Sequence, residues 1–327
     1  MTAPATDDGP RPATSAPLDE LLEILQAMRH ELVRREETVA GDWVEDTAAE
    51  LRSGRKLGWY YPISEGAGLG FYARRGADAF GHVHVAPGPR AADRAVRLGT
   101  VLLDALPPGL DAIDLGFTGL SPEEERAVTL RLAERPGSAV IERDRMERPL
   151  GPADGESPIP LPQGYRLVPI RSVILEALAE LDRKAFQGTQ DELLVGRDVS
   201  HYARVLEAIL DHRLGRFLDE ASTALLHGEP PRLVGALLSA EQSPRRAVFV
   251  EFIVDPADRR RGHGRLLFRW GLRALWALGY SSVRLWVTAT NQPARHLYDS
   301  FGFRVTATAT IYRWERPGSA PQPHRAR

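Results

Sequence analysis

The sequence has no cysteine among its 327 residues and only two lysines, Lys56 and Lys184, among 42 basic side chains. The first absence excludes a disulfide scaffold, a thiolate nucleophile and any cysteine-ligated zinc or iron–sulfur centre. The second leaves arginine carrying nearly all the positive charge, a mark of GC-rich coding that says little about function. Neither sign of charge dominates, since 42 Lys+Arg face 44 Asp+Glu for a net charge of -2, which removes the bulk electrostatic case for nucleic acid. No uncharged apolar run reaches the roughly 18 residues a membrane helix needs. The opening stretch MTAPATDDGPRPATSAP has acidic residues where a signal peptide wants basic ones, and no apolar core. A cytoplasmic protein with no membrane or nucleic-acid partner is expected.

What is present is the composition of an ordinary globular chain, 43% hydrophobic and 26% charged, long enough for about two domains. Residues 1–17 and 316–327 lack apolar periodicity and read as disordered tails. The Pro- and Gly-rich stretch 149–163 reads as a linker. It separates an N-terminal domain, 18–148, from a C-terminal domain, 164–315. In the latter, the pattern predicts strands at 165–170, 222–227, 232–239, 246–254, 282–288 and 303–314. Helices are expected at 172–186, 198–213, 262–278 and 291–300. The order β-α-α-β-β-β-α-β-α-β is a mixed α/β architecture. The N-terminal half repeats the plan, with helices at 18–38, 43–53, 90–106 and 121–134 and strands at 57–63, 68–74, 79–85, 111–117 and 138–147.

One segment concentrates the chemistry. FVEFIVDPADRRRGHGRLLFRWGL, residues 249–272, is an apolar strand, a proline turn and a glycine-punctuated loop opening directly into an amphipathic helix. The orphan N–H groups of that helix, its dipole and two glycines that permit close approach make an anion site suited to a diphosphate. Arg259, Arg260 and Arg261 add charge at its mouth. Two glycines at this spacing are not the dinucleotide fingerprint.

The loop Arg259-Arg260-Arg261-Gly262-His263-Gly264 resembles the Arg/Gln-x-x-Gly-x-Gly pyrophosphate loop of the GNAT acyltransferase superfamily. A second element, Asn291-Gln292-Pro293-Ala294-Arg295-His296-Leu297-Tyr298 followed by Phe301-Gly302-Phe303, is similar to that family's Asn-x-x-Ala-x-x-Leu-Tyr helix and turn. The resemblance covers residues 164–315 and implies a GNAT fold and transfer of an acetyl group from acetyl-CoA to a primary amine by direct attack. It places the coenzyme against Ile253, Val254, Arg259, Arg260, Arg261, Gly262, His263, Gly264, Arg265, Asn291, Ala294 and Tyr298, with no metal. Tyr298 would protonate the leaving thiolate. Glu251 is the candidate base. A core tyrosine and a structural ion pair are the competing roles for these two. The alternative for the whole protein is a non-catalytic module that senses acyl-CoA or binds a partner. Monomer and homodimer stay open.

Setting Val254-Asp255-Pro256 on Val85-Ala86-Pro87 aligns Arg259 with Arg90 and puts Asp93 where Gly262 stands. An aspartate there would oppose a diphosphate, and the helix at 121–134 has no tyrosine. The chain thus resembles tandem-GNAT proteins whose N-terminal copy has lost coenzyme binding. His82 and His84 alternate on one strand face without an evident third ligand, so packing or cleft lining is their expected role.

Overall fold

The structure is a computed structural model and describes residues 9–35, 42–75, 78–156, 160–195 and 198–317. It divides into two compact units, one formed by Met1–Ile141 with Thr310–Arg327 and the other by Glu142–Ala309.

The first unit contains β1 (Arg11–Pro12), α1 (Leu18–Arg34), α2 (Trp43–Arg52), β2 (Gly58–Tyr61), β3 (Gly68–Arg75), β4 (Asp78–Val85), α3 (Ala91–Asp104), β5 (Ala112–Thr118), α4 (Pro122–Ala133) and the start of β6 (Ser138–Pro149). Leu21, Ile24, Leu25, Met28 and Leu32 repeat at helical spacing on α1 and bury themselves against α2, β2 and β3. Leu98, Leu102, Val128 and Leu132 of α3 and α4 join a second core with Ile113, Leu115 and Phe117 of β5. Strands β1 to β4 are antiparallel in sequence order, and β4 pairs in parallel with β5.

The second unit contains the rest of β6, α5 (Pro152–Glu156), β7 (Tyr165–Pro169), α6 (Leu175–Phe186), α7 (Asp191–Val195), α8 (Val199–Leu210), β8 (Arg216–Phe217), β9 (Thr223–His227), β10 (Arg232–Ser243), β11 (Arg246–Val254), α9 (His263–Ala277), β12 (Ser282–Thr288), α10 (Gln292–Ser300) and the start of β13 (Arg304–Glu315). Its sheet order is β6-β12-β11-β10-β9-β7. Helices α6 and α8 bury Leu178, Ala179, Tyr202 and Leu206 with Ala236, Leu238 and Ile253 of the sheet. Helices α9 and α10 bury Phe268, Leu272 and Tyr298 with Phe249 and Leu285.

The mixed α/β class stands, with the same strand and helix plan in both halves. The divisions between them fall at other residues than the sequence pattern implied. Residues 142–148 belong to the second unit because β6 pairs with β12 from Arg143↔Thr288 to Pro149↔Ser282. Residues 310–315 belong to the first because Tyr312–Glu315 of β13 pair with β5. Non-local pairing of this kind leaves no trace in local composition. Within the expected linker, α5 is anchored by the Arg148–Asp154 ion pair at 2.7 Å and by Leu150 N–H on the Ser281 carbonyl. Residues 9–17 are not a disordered tail, since Ala13 and Ala16 are buried in the core under α1. Nor does Arg316 begin a disordered tail, since it donates to the Leu106, Pro107 and Leu110 carbonyls, while residues 1–8 and 318–327, the rest of the tail expectations, lie outside the described residues.

Candidate functional site

Two neighbouring strands of the second unit part company. Strands β11 and β12 run parallel but pair only over Arg246↔Ser282, Ala247↔Val283 and Val248↔Arg284, while β10 follows β11 as far as Val254. Beyond Val248, then, β11 has a free edge facing β12. Asp255 N–H donates to the Val234 carbonyl at 2.8 Å, whereas Phe252 N–H donates to the Glu251 carboxylate at 3.0 Å. Strand alternation therefore puts the Ile253 N–H in the β10 ladder and the Val254 N–H in the gap. Of this pair of expected contact residues, only Val254 offers a backbone donor there. Ile253 is buried in the core instead.

The loop after β11 ends in a helix start built from backbone. The Asp255 carboxylate accepts from Ala257 N–H, closing a short turn, and Arg260 and Gly262 adopt left-handed φ of 61° and 87°. Gly262 caps α9 without a side-chain hydrogen bond, and the first turn of α9 has no acidic residue. Its N–H groups and positive dipole end are thus uncompensated. A Cβ at Gly262 would meet nothing within 4 Å, while one at Gly264 would stand 3.4 Å from Phe252.

The loop arginines do not act together. Arg259 turns inward, donating to the Ala185 carbonyl at 2.6 Å and the Val254 carbonyl at 3.4 Å, so it braces the loop. Arg261 pairs with Asp258 at 3.3 Å. Arg261, Arg265 and Arg269 line a cleft of about 230 Å³ with Gly262, His263, Leu266, Pro160 and Pro162. Arg269 escaped the sequence reading although it follows Arg265 of α9 and the loop residue Arg261 at four-residue spacing. Arg265 also lies 5.5 Å over the Phe301 ring. His263 is buried, with its ring 4.7 Å from Tyr165. Asn291 caps α10 through Ala294 N–H at 3.3 Å, which commits its carbonyl oxygen to the helix and leaves Ala294 half-buried.

Around the gap stand the ionisable groups. Glu251 follows a bulge at Val250, because Leu238 faces Glu251 while Ser239 faces Phe249. The extra residue resets alternation, so Phe249 and Phe252 pack towards α9 and Glu251 shares the α6/α8 face with Ile253. Burial pushes the Glu251 carboxyl up to about 7, against the opposing pull of the Phe252 N–H and Arg143. Tyr298 on α10 is buried beside Phe268 (5.2 Å), Phe303 (6.1 Å) and Phe252 (6.3 Å), and its hydroxyl makes no hydrogen bond to a described residue. Burial raises its phenol above the usual range, with the Glu251 and Asp191 charges adding to the effect. The structure adds two residues. Arg143 of β6 stands opposite Thr288 and interacts with Glu251, Asp191 and Tyr298. Asp191 of α7 accepts a hydrogen bond from the Thr288 hydroxyl. Sequence gave no sign of Arg143, whose strand precedes the expected linker.

The first unit lacks this geometry. Its β4 and β5 stay paired over seven residues, from Asp78↔Ala112 to His84↔Thr118, so no gap opens. Arg90, with φ of 67°, caps α3 as Gly262 caps α9. Four residues separate Val85 from Arg90 where seven separate Val254 from Gly262. The loop is shorter, and Asp93 lies inside the helix, exposed and paired with Arg131 at 2.6 Å, not at the cradle. What fills the loop is Arg94, buried, donating to the Ala86 and Pro89 carbonyls at 3.1 and 3.2 Å. His84 is buried and bonded to Thr118 at 2.9 Å, and His82 packs its ring 4.7 Å from Phe80.

Residues 175–303 match the Acetyltransferase (GNAT) family. A mycothiol acetyltransferase of Propionibacterium freudenreichii is 28% identical over 178 residues, 53% of each chain. One from Acidothermus cellulolyticus is 45% identical over 67 residues, 20% of each. The matched stretches thus span about half the length of these curated relatives or less. A GCN5-related N-acetyltransferase from Sphaerobacter thermophilus has a similar fold at TM-score 0.58 and 18% identity, covering 94% of this chain and 96% of that one. A tandem GNAT protein from the clavulanic acid biosynthesis pathway does so at TM-score 0.55 and 15% identity, covering 94% and 97%.

Proposed function

From a chain that carries a GNAT-family domain at residues 175–303 and repeats that fold in its first half, we propose an N-acetyltransferase that moves an acetyl group from acetyl-CoA to a primary amine in the second unit. The observation that carries the reading is the early parting of β11 and β12 beside the uncapped start of α9, with Glu251 and Tyr298 at the same gap.

The residues fit the coenzyme. The open space over Gly262 and the free N–H groups of α9 accept a diphosphate, and Arg261, Arg265 and Arg269 supply countercharge. Acetyl-CoA supplies an activated thioester. Val254 N–H is the backbone donor for its carbonyl oxygen as negative charge develops. Glu251, poised near neutrality, takes a proton from the acceptor ammonium. The freed amine attacks the carbonyl carbon, Tyr298 gives its hydroxyl proton to the departing sulfur, and the proton the nitrogen sheds on becoming an amide returns to the Tyr298 oxygen. Burial keeps that phenol protonated until the transfer, and its hydroxyl makes no hydrogen bond to a described residue. Arg94 occupies the first unit's loop, so one coenzyme site per chain is expected.

The test is calorimetric titration of acetyl-CoA into the protein and a Gly262→Asp variant, followed by thiol-release assays with a panel of amines. Binding at one site, abolished by the substitution, together with amine-dependent thiol release supports the proposal. Binding without turnover on any amine would favour an acyl-CoA sensor, and no binding would sink both.

A further inference from the structure

Asp182 has no exposed surface, and neither of its carboxylate oxygens has a hydrogen-bond partner among the described residues. It is the one ionisable residue on the buried face of α6, among Leu178, Ala179, Leu181 and Ala185. That face packs on α8 and on β11. From α8 comes Tyr202, equally buried, whose hydroxyl likewise has no partner among the described residues. From β11 comes Glu251, turned to this side of the sheet by the Val250 bulge. Three polar groups thus converge in an otherwise apolar layer beside the gap. Arg183, the nearest cation in sequence, is turned to Glu180 at 2.8 Å, and Glu192 of α7 adds only negative charge near Tyr202.

A carboxylate sealed from water without a donor or cation is too costly to keep ionised, so it holds a proton. We propose that Asp182 is a positioning residue for acyl transfer, a neutral carboxylic acid sealed behind Glu251 that leaves Glu251 as the member of this buried pair that ionises. The inference rests on the reading of Glu251 as proton acceptor. Glu251 already feels the Asp191 charge against the Arg143 cation, and a charged Asp182 would add a further negative charge, keep Glu251 protonated at neutral pH and leave the acceptor ammonium nowhere to put its proton. In the step itself the ammonium N–H bond breaks, the proton joins a Glu251 oxygen and the electron pair stays on nitrogen. The Asp182 O–H bond is not broken. Burial, with the neighbouring Glu251 charge, raises Asp182 further than Glu251, so Glu251 is the first of the two to give up its proton.

The experiment is a carbon-13 NMR titration of side-chain carboxyls in the full chain between about pH 5 and pH 10, on wild type, Asp182→Asn and Glu251→Gln. One wild-type carboxyl is expected to titrate in the alkaline range and to vanish in Asp182→Asn, while the Glu251 midpoint stays near neutrality. In Glu251→Gln the alkaline midpoint should move down, because the adjacent charge is gone. If Asp182→Asn does not fold, Glu251→Gln alone decides. Asp182 titrating with the ordinary carboxylates, or an alkaline midpoint unmoved by Glu251→Gln, overturns the proposal. Failure of the acyl-transfer reading shows separately, as absent acetyl-CoA binding with the same two midpoints.

Discussion

Arg143 on β6 stands directly opposite Thr288 on β12, and the Thr288 hydroxyl donates to Asp191, so a cation and an anion from distant parts of the chain meet where β12 has left β11. Glu251 feels both, Arg143 favouring its charged form and Asp191 opposing it. Removing the cation as Arg143→Gln should therefore raise the Glu251 midpoint above about 7. The acidic limb of the kcat/KM profile should move up with it, and activity at pH 6 should fall by about tenfold. A limb that stays in place would mean Glu251 is not the group whose ionisation controls turnover.

Tyr298 gives a cleaner separation of chemistry from binding. Its hydroxyl makes no hydrogen bond to a described residue, while its ring is packed against Phe268 at 5.2 Å. Tyr298→Phe keeps the packing and loses only the proton. Turnover should fall by about 10² to 10⁴, with acetyl-CoA affinity and melting temperature nearly unchanged. A variant as active as wild type would leave Tyr298 as a core aromatic.

The cleft arginines should read out as affinity. Arg269→Ala removes a cation from the wall shared with Gly262 and Arg265, and the acetyl-CoA Kd should rise by about tenfold, the scale of one charge-assisted contact. The loss should shrink as salt is added. Arg259→Ala should behave differently, because its two carbonyl contacts brace the loop. Thermal stability should fall alongside affinity. Equal stability for both variants would overturn this division of labour.

What was legible in the sequence was local. The strand, glycine loop and helix at 249–272 and the Asn291–Tyr298 helix announced themselves through motif and periodicity, and both elements form where the pattern put them. Arg143 and Asp182 could not be read this way. One reaches the gap by a strand pairing that crosses the expected linker, and the other looks like any aspartate in an amphipathic helix until burial removes its partners. The first unit shows the same limit. Sequence pointed to Asp93 as the residue that spoils the cradle, yet a shorter loop carries Asp93 outward to Arg131 and Arg94 into the turn. Loop length, set by three dimensions and not by motif register, decided which side chain filled it.

Arg94 offers the test of that account. Truncation to alanine leaves the Ala86 and Pro89 carbonyls without their donors, at a cost of about 1–3 kcal/mol of stability. Acetyl-CoA stoichiometry should stay at one per chain, because β4 and β5 remain paired with no gap to enter. A second binding event in Arg94→Ala would show that Arg94 alone closes the site.

The last prediction concerns acid. Burial lowers His84 from 6.5 to about 4, since the ring is enclosed beside Thr118. In the unfolded chain the same ring takes a proton near 6.5, so between these values the unfolded state binds more protons than the folded one. Stability should thus be complete above about pH 6.5 and decline as pH falls towards 4, by about 3 kcal/mol for a shift of this size. Below that both states are protonated and the contribution is flat. Urea titrations across this window should show the decline in wild type and a shallower one in His84→Gln, whose amide has no proton to gain. An identical slope in the two proteins would place the acid sensitivity in other groups, with the raised carboxyl of Glu125 excluded by its sign, because a group that binds its proton more tightly when folded stabilises the fold as pH falls.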